Sequence, residues 1–293
     1  MVRKFYLENE KGQKYDLMDK DKFCFLSDPA GLGYSYETEY QKVGNSFIDN
    51  IRKLSQGQIN GEAIFSSYDN VKNLIDYIET SKKIKFVYEI PFKYNFSKKY
   101  YKFVNIESLE KSEKSVDGYL HCPINFDCLG LWYEDVETTY DMTKNENEIR
   151  WDFKWDSRFK SYDNRSFTFE NTGHVDAPIK LEIGGYVINP KFEVYVNKNK
   201  IFELAIDETL EEYEKILYST KDDDLYIYKE NQDGTLTNYF DYLDINNINF
   251  VKLPRGVCEI RLSADSDITN AKLTVYLEYK AVQYDTNRSK SKV

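Results

Sequence analysis

The sequence predicts a mainly β protein, strand-rich with one helix, organised as two domains. Three observations carry this. The chain has 26 tyrosines and 18 phenylalanines, residues that favour the half-buried pleated surface of a strand. Short runs of alternating apolar and polar residues recur along its length, separated by turn signals. Only one segment, after Ser66, keeps helical spacing. The 293 residues suffice for two cores. A hydrophobic content of 41% beside 31% charged residues excludes wholesale disorder.

The first element is a hairpin, Lys4 to Glu8 and Gln13 to Leu17, turning at Asn9-Glu-Lys-Gly12. Phe23 to Leu26 is a short apolar strand, and Asp28-Pro-Ala-Gly-Leu-Gly33 is expected to be a loop. Tyr34-Ser-Tyr-Glu-Thr-Glu-Tyr40 alternates tyrosines with glutamates and leads into a long hairpin with Val43-Gly-Asn-Ser46 at its tip. The return strand carries Phe47, Ile48, Ile51 and Leu54, and another strand follows at Gly61 to Phe65. Ser66, with Asp69 three residues on, is expected to cap the helix, whose face holds Val71, Leu74, Ile75 and Ile78. Strands follow at 85–90, 101–106 and 119–126.

From Glu134 to about Arg165 the composition turns charged and polar, with Trp151 and Trp155 isolated, which marks the expected connection between domains. The division is 1–134, a connector at 135–165, a sandwich at 166–283 and a polar tail at 284–293. Sandwich strands are expected at 166–169, 179–183, 192–196, 201–206, 225–228, 257–262 and 271–282.

Little in the chain points to catalysis. It has two histidines, His121 and His174, so the side chain best suited to proton transfer near neutral pH is scarce. His121, Cys122 and Cys128 are not a zinc site, because alternation puts the first two on opposite faces and no Cys-x-x-Cys occurs. Gly31-Leu-Gly33 precedes a strand rather than a helix, which argues against a nucleotide loop. Asp222 to Asp224 and Asn231-Gln-Asp-Gly234 lack most calcium-loop ligands and read as turns. No nucleophile elbow, zincin or P-loop pattern is present, and no carboxylate pair stands out for glycosidase chemistry. The tryptophans, Trp132 at the close of a strand among them, read as packing anchors. The expectation is a protein without enzymatic activity, cofactor or metal.

A net charge of −10 argues against a nucleic-acid-coating surface. A negatively lined pore through which DNA slides would fit it. The first ten residues hold no apolar h-region, so no secretory signal is expected. Cys24, Cys122, Cys128 and Cys258 lack framework spacing and read as buried thiols. No stretch has the length of a membrane span.

The order of turns resembles the distal tail proteins (Dit) of siphovirus-type phages. The resemblance rests on Phe5 to Leu17, Gly31-Leu-Gly-Tyr34 with the long strand and capped helix, and Gly118-Tyr-Leu-His-Cys-Pro-Ile124 running to Leu131-Trp-Tyr133. In the second half it rests on Asn171-Thr-Gly173, Gly185-Tyr-Val-Ile-Asn-Pro190, Tyr239 to Asp244 and Phe250 to Gly256. It implies an N-terminal β-sheet with a helix and an extended hairpin, and a C-terminal galectin-like β-sandwich. It implies a homo-hexameric ring in the virion, at the tail tip or baseplate, assembled in the host bacterial cytoplasm. Such a ring joins the tail tube protein to the tail-tip hub or tail-associated lysin protein, with a receptor-binding or tape measure protein as further neighbours. DNA passes through the lumen without specific binding, and no membrane is engaged. Tyr34, Tyr36, Tyr40, Val43, Asn45 and Phe47 are the candidate subunit contact. Phe92 to Tyr100 is a second candidate arm. The alternative is an adhesion module that binds host cell-wall glycan through residues 166–283.

Overall fold

The computed structural model describes residues 3–33, 36–53, 55–91, 97–140, 166–240, 243, 250–266, 268 and 270–281. The chain divides into two compact units, Met1–Glu134 with Tyr279–Val293, and Asp135–Glu278. Most of the expected connector and all of the expected tail lie outside the described residues. Among those described, no helix is long and apolar enough to cross a membrane.

The first unit begins with β1 (Lys4–Asn9), β2 (Lys14–Asp16) and β3 (Phe25–Ala30), then β4 (Glu37–Val43), β5 (Ser46–Lys53) and β6 (Gln58–Phe65). Helix α1 (Tyr68–Glu79) follows, then β7 (Ile84–Pro91), β8 (Ser97–Leu109), β9 (Leu120–Cys128) and the start of β10 (Trp132–Tyr140). The sheet is antiparallel, in the order β2–β1–β7–β8–β9–β6–β3. Strand β8 organises it. From Ser97 to Val104 it pairs with β7, and from Val104 to Leu109 with β9, the latter pairing interrupted by a bulge between Ile106 and Ser108 that shifts the register.

Alternation along these strands buries Leu7, Phe65, Phe86, Tyr88, Phe126 and Trp132 almost completely. Phe86 meets Phe126 edge-on at 5.4 Å between ring centroids, one of the preferred aromatic geometries. Helix α1 closes over this core with Leu74. The Tyr15 hydroxyl donates to Asn70 O at 3.2 Å and the Tyr77 hydroxyl to Gln13 O at 2.9 Å, tying the helix to the first hairpin.

The second unit is a β-sandwich. Its strands are β11 (Ser166–Asn171), β12 (Ile179–Gly184), β13 (Val187–Ile188), β14 (Lys191–Val196), β15 (Asn199–Ala205) and β16 (Thr209–Leu210). They continue with β17 (Lys215–Lys221), β18 (Asp224–Glu230), β19 (Leu236–Asn238), β20 (Gly256–Ser263) and β21 (Asn270–Tyr279), whose last residue belongs to the first unit. One sheet runs β11–β20–β14–β15, the other β21–β12–β17–β18–β19, and β13 pairs with β16. Phe167, Phe192 and Ile260 of the first sheet converge on Leu181, Ala271 and Leu273 of the second, which makes the core.

Several local expectations need correction. The N-cap is Ser67, whose hydroxyl accepts from Asn70 N at 3.3 Å; Ser66 instead accepts from the Asn70 side chain. Ile75 is exposed, because the buried face runs through Asn70 and Leu74. Asp28 to Ala30 continue strand β3 through a bulge, with Asp28 at φ 46°. Trp132 opens β10 rather than closing a strand, and β10 carries regular structure to Tyr140. Strand β17 fills a stretch where no strand was expected.

Candidate assembly surface

Strands β4 and β5 form a two-stranded sheet of their own, hydrogen-bonded to no other described strand. Gly44 and Asn45 make the two-residue turn, with Gly44 at φ 62° in its first central position. Glycine there is the signature of a type II′ turn, whose twist matches that of the flanking strands. Register is fixed by Val43↔Ser46, Lys42↔Phe47 and Gln41↔Ile48, and a bulge at Asn50 restores pairing as Glu39↔Ile51.

That register sorts the side chains by face. One face carries Val43, Ile48 and Ile51. The other carries Tyr40 and Phe47, on adjacent strands one step apart. All five are exposed, Phe47 by 68% and Tyr40 by 62%. Polar positions interleave with them, and Lys53 lies 3.7 Å from Glu39 across the ribbon. An isolated two-stranded ribbon is marginally stable in water, and this one has apolar side chains on both faces.

Of the predicted contact residues, Tyr40, Val43, Asn45 and Phe47 come together on the outer part of the ribbon. Tyr36 stands at its base, half-buried, with Lys280 Nζ 5.2 Å from its ring centroid. Tyr34 lies outside the described residues, as do positions 92–96 of the second candidate arm. Ile48 and Ile51 lie on the same ribbon, on the face of Val43, and are absent from that set. Strict alternation along β5 would put Ile48 and Ile51 on opposite faces, and only the bulge at Asn50 brings them to one face, so the sequence pattern held no signal for them.

Gly31, at φ 84°, sits where the chain enters this ribbon from β3. A Cβ there would stand 1.8 Å from Gln58 O, so only glycine lets β3 approach β6 so closely. This is a packing requirement and explains Gly31 without a nucleotide; nothing in the structure explains Gly33.

A second aromatic surface had no signal in the sequence. Tyr6, Val87 and Tyr101 form a cluster on the sheet, with Phe103 and Tyr133 packed against it. Cross-strand pairing aligns Tyr6↔Val87↔Tyr101↔Tyr133 over four strands. Tyr101 and Tyr133 stack at 5.4 Å, and Lys85 Nζ lies 4.6 Å from the Tyr101 ring. These aromatics are largely satisfied within the protomer.

The polar groups with shifted titration have structural partners. His121 Nδ1 lies 3.0 Å from Glu62 Oε2 and its Nε2 2.9 Å from Asp117 Oδ2. The Glu62 and Asp117 carboxylates hold the imidazole above its ordinary value. Asp117 is held well below the carboxylate range by the Ser115 hydroxyl, the Tyr119 N–H and His121. The four cysteines are buried free thiols, each pushed up by burial. Among the described residues no group of three or more His, Cys, Asp and Glu side chains could hold a metal ion. Asp222 occupies an exposed turn and pairs with Lys252 at 2.7 Å; Asn231 and Gly234 close the next turn.

Comparison with known proteins agrees with this architecture. Residues 4–129 match the family of the distal tail protein, N-terminal domain. No curated protein matches the sequence. The fold is similar to a chain of the phage P2 baseplate in its activated conformation with calcium. The identity there is 14%, the match covers 96% of this chain and 100% of that chain, and the TM-score is 0.65. It is also similar to the SPP1 Dit protein, described as a paradigm of the hub adsorption apparatus in phages infecting Gram-positive bacteria. There the identity is 12%, coverage is 94% and 99%, and the TM-score is 0.57.

Proposed function

We propose that this chain, a phage distal tail protein by its N-terminal domain, closes into a six-membered ring at the tail tip through its β4–β5 ribbon. The ring joins the tail tube to the baseplate or tail-tip hub and leaves a central passage for DNA. The protein acts structurally, without catalysis, and the second unit is a galectin-like sandwich carried outside the ring.

The observation that carries the reading is the ribbon with apolar residues on both faces and, among the described residues, no further strand paired to it. Such a ribbon is covered when it inserts between surfaces of a neighbouring copy. Finishing the burial of Tyr40, Val43, Phe47, Ile48 and Ile51 contributes about 6 kcal/mol at ordinary transfer values. Association costs an estimated ~4–15 kcal/mol. One such contact is therefore weak by itself. A closed ring, where each subunit gives one ribbon and receives another, supplies two contacts per subunit and makes the weak pair sufficient.

The acidic balance of the chain, −10 overall, suits a passage that repels DNA rather than holding it. Partners at the two ring faces are the tail tube protein and the hub or tail-associated lysin protein, with a receptor-binding or tape measure protein adjoining. The virion tail tip is the final location, after assembly in the host cytoplasm.

Negative-stain imaging of the purified full chain, alone and with tail tube protein, tests the reading. Six-fold rings with a central hole are expected. A strictly monomeric species under both conditions would overturn it.

A further inference from the structure

We infer that the second unit binds an uncharged or amino-bearing oligosaccharide in a cleft walled by Tyr186 and Tyr213, a site independent of ring assembly. The cleft is open, with a volume of about 1310 Å³. It lies where four connections meet: β12–β13 with Tyr186, β16–β17 with Glu211 and Tyr213, β18–β19 with Gln232, and β20–β21 with Asp265. It is open to solvent, so an extended ligand can lie across it.

The two tyrosines are among the most exposed large side chains of this unit, Tyr186 by 52% and Tyr213 by 66%. No ring contact or hydrogen bond within the chain occupies either side group among the described residues. Exposed tyrosine rings lining a cleft suit the apolar C–H faces of pyranose rings, with the phenolic hydroxyls hydrated. The same cleft is lined by the carboxylates of Glu211, Glu212 and Asp265 and the amides of Gln232 and Asn270, groups that accept from and donate to sugar hydroxyls.

The walls are held before any ligand arrives. Gly185, at φ 86°, supplies the turn that presents Tyr186. Tyr213 sits in a turn closed by Glu214 N to Glu211 O at 3.0 Å, and Glu214 Oε2 accepts from Glu211 N at 3.0 Å. Lys229 Nζ, itself largely buried, anchors that carboxylate at 2.9 Å and Glu208 at 2.6 Å. Asp265 is fixed by Asn189 Nδ2 at 2.7 Å and by its own N–H to Ile188 O at 2.8 Å. A rigid site loses less on binding than one that must order.

Charge selects the ligand class. Glu211, Glu212 and Asp265 face one ammonium, Lys215. This balance repels phosphate polymers and nucleic acid, and it favours neutral or amino sugars.

The test is calorimetric titration of the full chain with three probes: cellohexaose, chitohexaose and poly(glycerol phosphate). Saturable binding of a neutral hexaose is expected, and none of the phosphate polymer. Tyr186→Ala and Tyr213→Ala should each weaken binding about tenfold, a loss matched to one stacked ring, whereas Tyr186→Phe and Tyr213→Phe retain it. The exposed positions leave thermal unfolding unchanged in all four variants, which separates lost binding from lost folding. Absence of binding by both hexaoses at roughly 10 mM, weaker than any useful Kd, overturns the inference. So does binding that survives both alanine substitutions, or tighter binding of the phosphate polymer.

Discussion

The hydroxyl of Tyr279 donates to Glu134 Oε2 at 3.0 Å, joining residues 145 positions apart in the chain. Both belong to the first unit, one at the point where the chain leaves it and one where it returns. Lys98 Nζ reaches the same carboxylate at 3.0 Å, and all three groups are mostly buried. A hydrogen bond to a charged acceptor contributes about 1.5–3 kcal/mol. Tyr279→Phe should therefore lower the stability of the first unit by roughly 1.5 kcal/mol, read as a lower urea midpoint at unchanged slope.

Lys198 is expected to be stabilised by glycine. Asn197 and Lys198 form the two-residue turn between β14 and β15, with φ of 50° and 67°. Asparagine tolerates this region, but lysine does not share that advantage. Lys198→Gly should raise stability of the sandwich by about 0.5–1 kcal/mol, seen as a higher melting temperature by calorimetry.

His121 should make stability fall as the solution becomes alkaline. Its folded value is raised above the ordinary 6.5. Its contribution is therefore complete below pH 6.5 and is lost as pH rises through the raised value. Asp117, held below its ordinary 3.8, contributes above that pH and loses the contribution as pH falls through its lowered value. The paired arrangement is thus most favourable between these limits. His121→Gln should remove the alkaline fall, and an NMR titration of His121 should give a midpoint above that of a free imidazole.

Glu278 acts over a different window. Burial pushes its carboxyl up to about 7 from 4.5, with Asp222 adding to the rise and Lys252 opposing it. The folded protein therefore holds this proton more tightly than the unfolded chain, and stability declines as pH rises from 4.5 to 7. Glu278→Gln should stabilise the second unit at pH 7.5 by roughly 1–3 kcal/mol and have little effect at pH 4. Chemical denaturation at the two pH values reads the difference.

What the sequence made readable was local. Val43-Gly-Asn-Ser46 announces its own turn, and Leu74 announces the buried side of α1. The cap was displaced by one residue because Ser66 and Ser67 are chemically equivalent, and only the backbone decides which accepts from Asn70 N. Asp28 lies in a bulge that its polar, proline-flanked surroundings disguise as a loop. Strand β17 was hidden because Ser219 and Thr220 are buried polar residues, with Thr220 Oγ1 accepting from Ile179 N at 2.9 Å. The ribbon surface was partly readable, through Tyr40, Val43 and Phe47. The return of Tyr279 to the first unit and the meeting of Tyr186 and Tyr213 at one cleft were not, since each depends on how distant segments come together.

The most direct measurement is photocrosslinking from position 47. Phe47 replaced by p-benzoylphenylalanine places a reactive group on the exposed aromatic face of the ribbon without disturbing a packed site. Irradiation of the full chain with tail tube protein should give a ladder of covalent oligomers that ends at six, and Tyr40→Ser with Ile48→Ser should abolish it while leaving the monomer folded. Crosslinks confined to a single chain, or a ladder unaffected by those substitutions, would contradict the assignment of the ribbon as the ring contact.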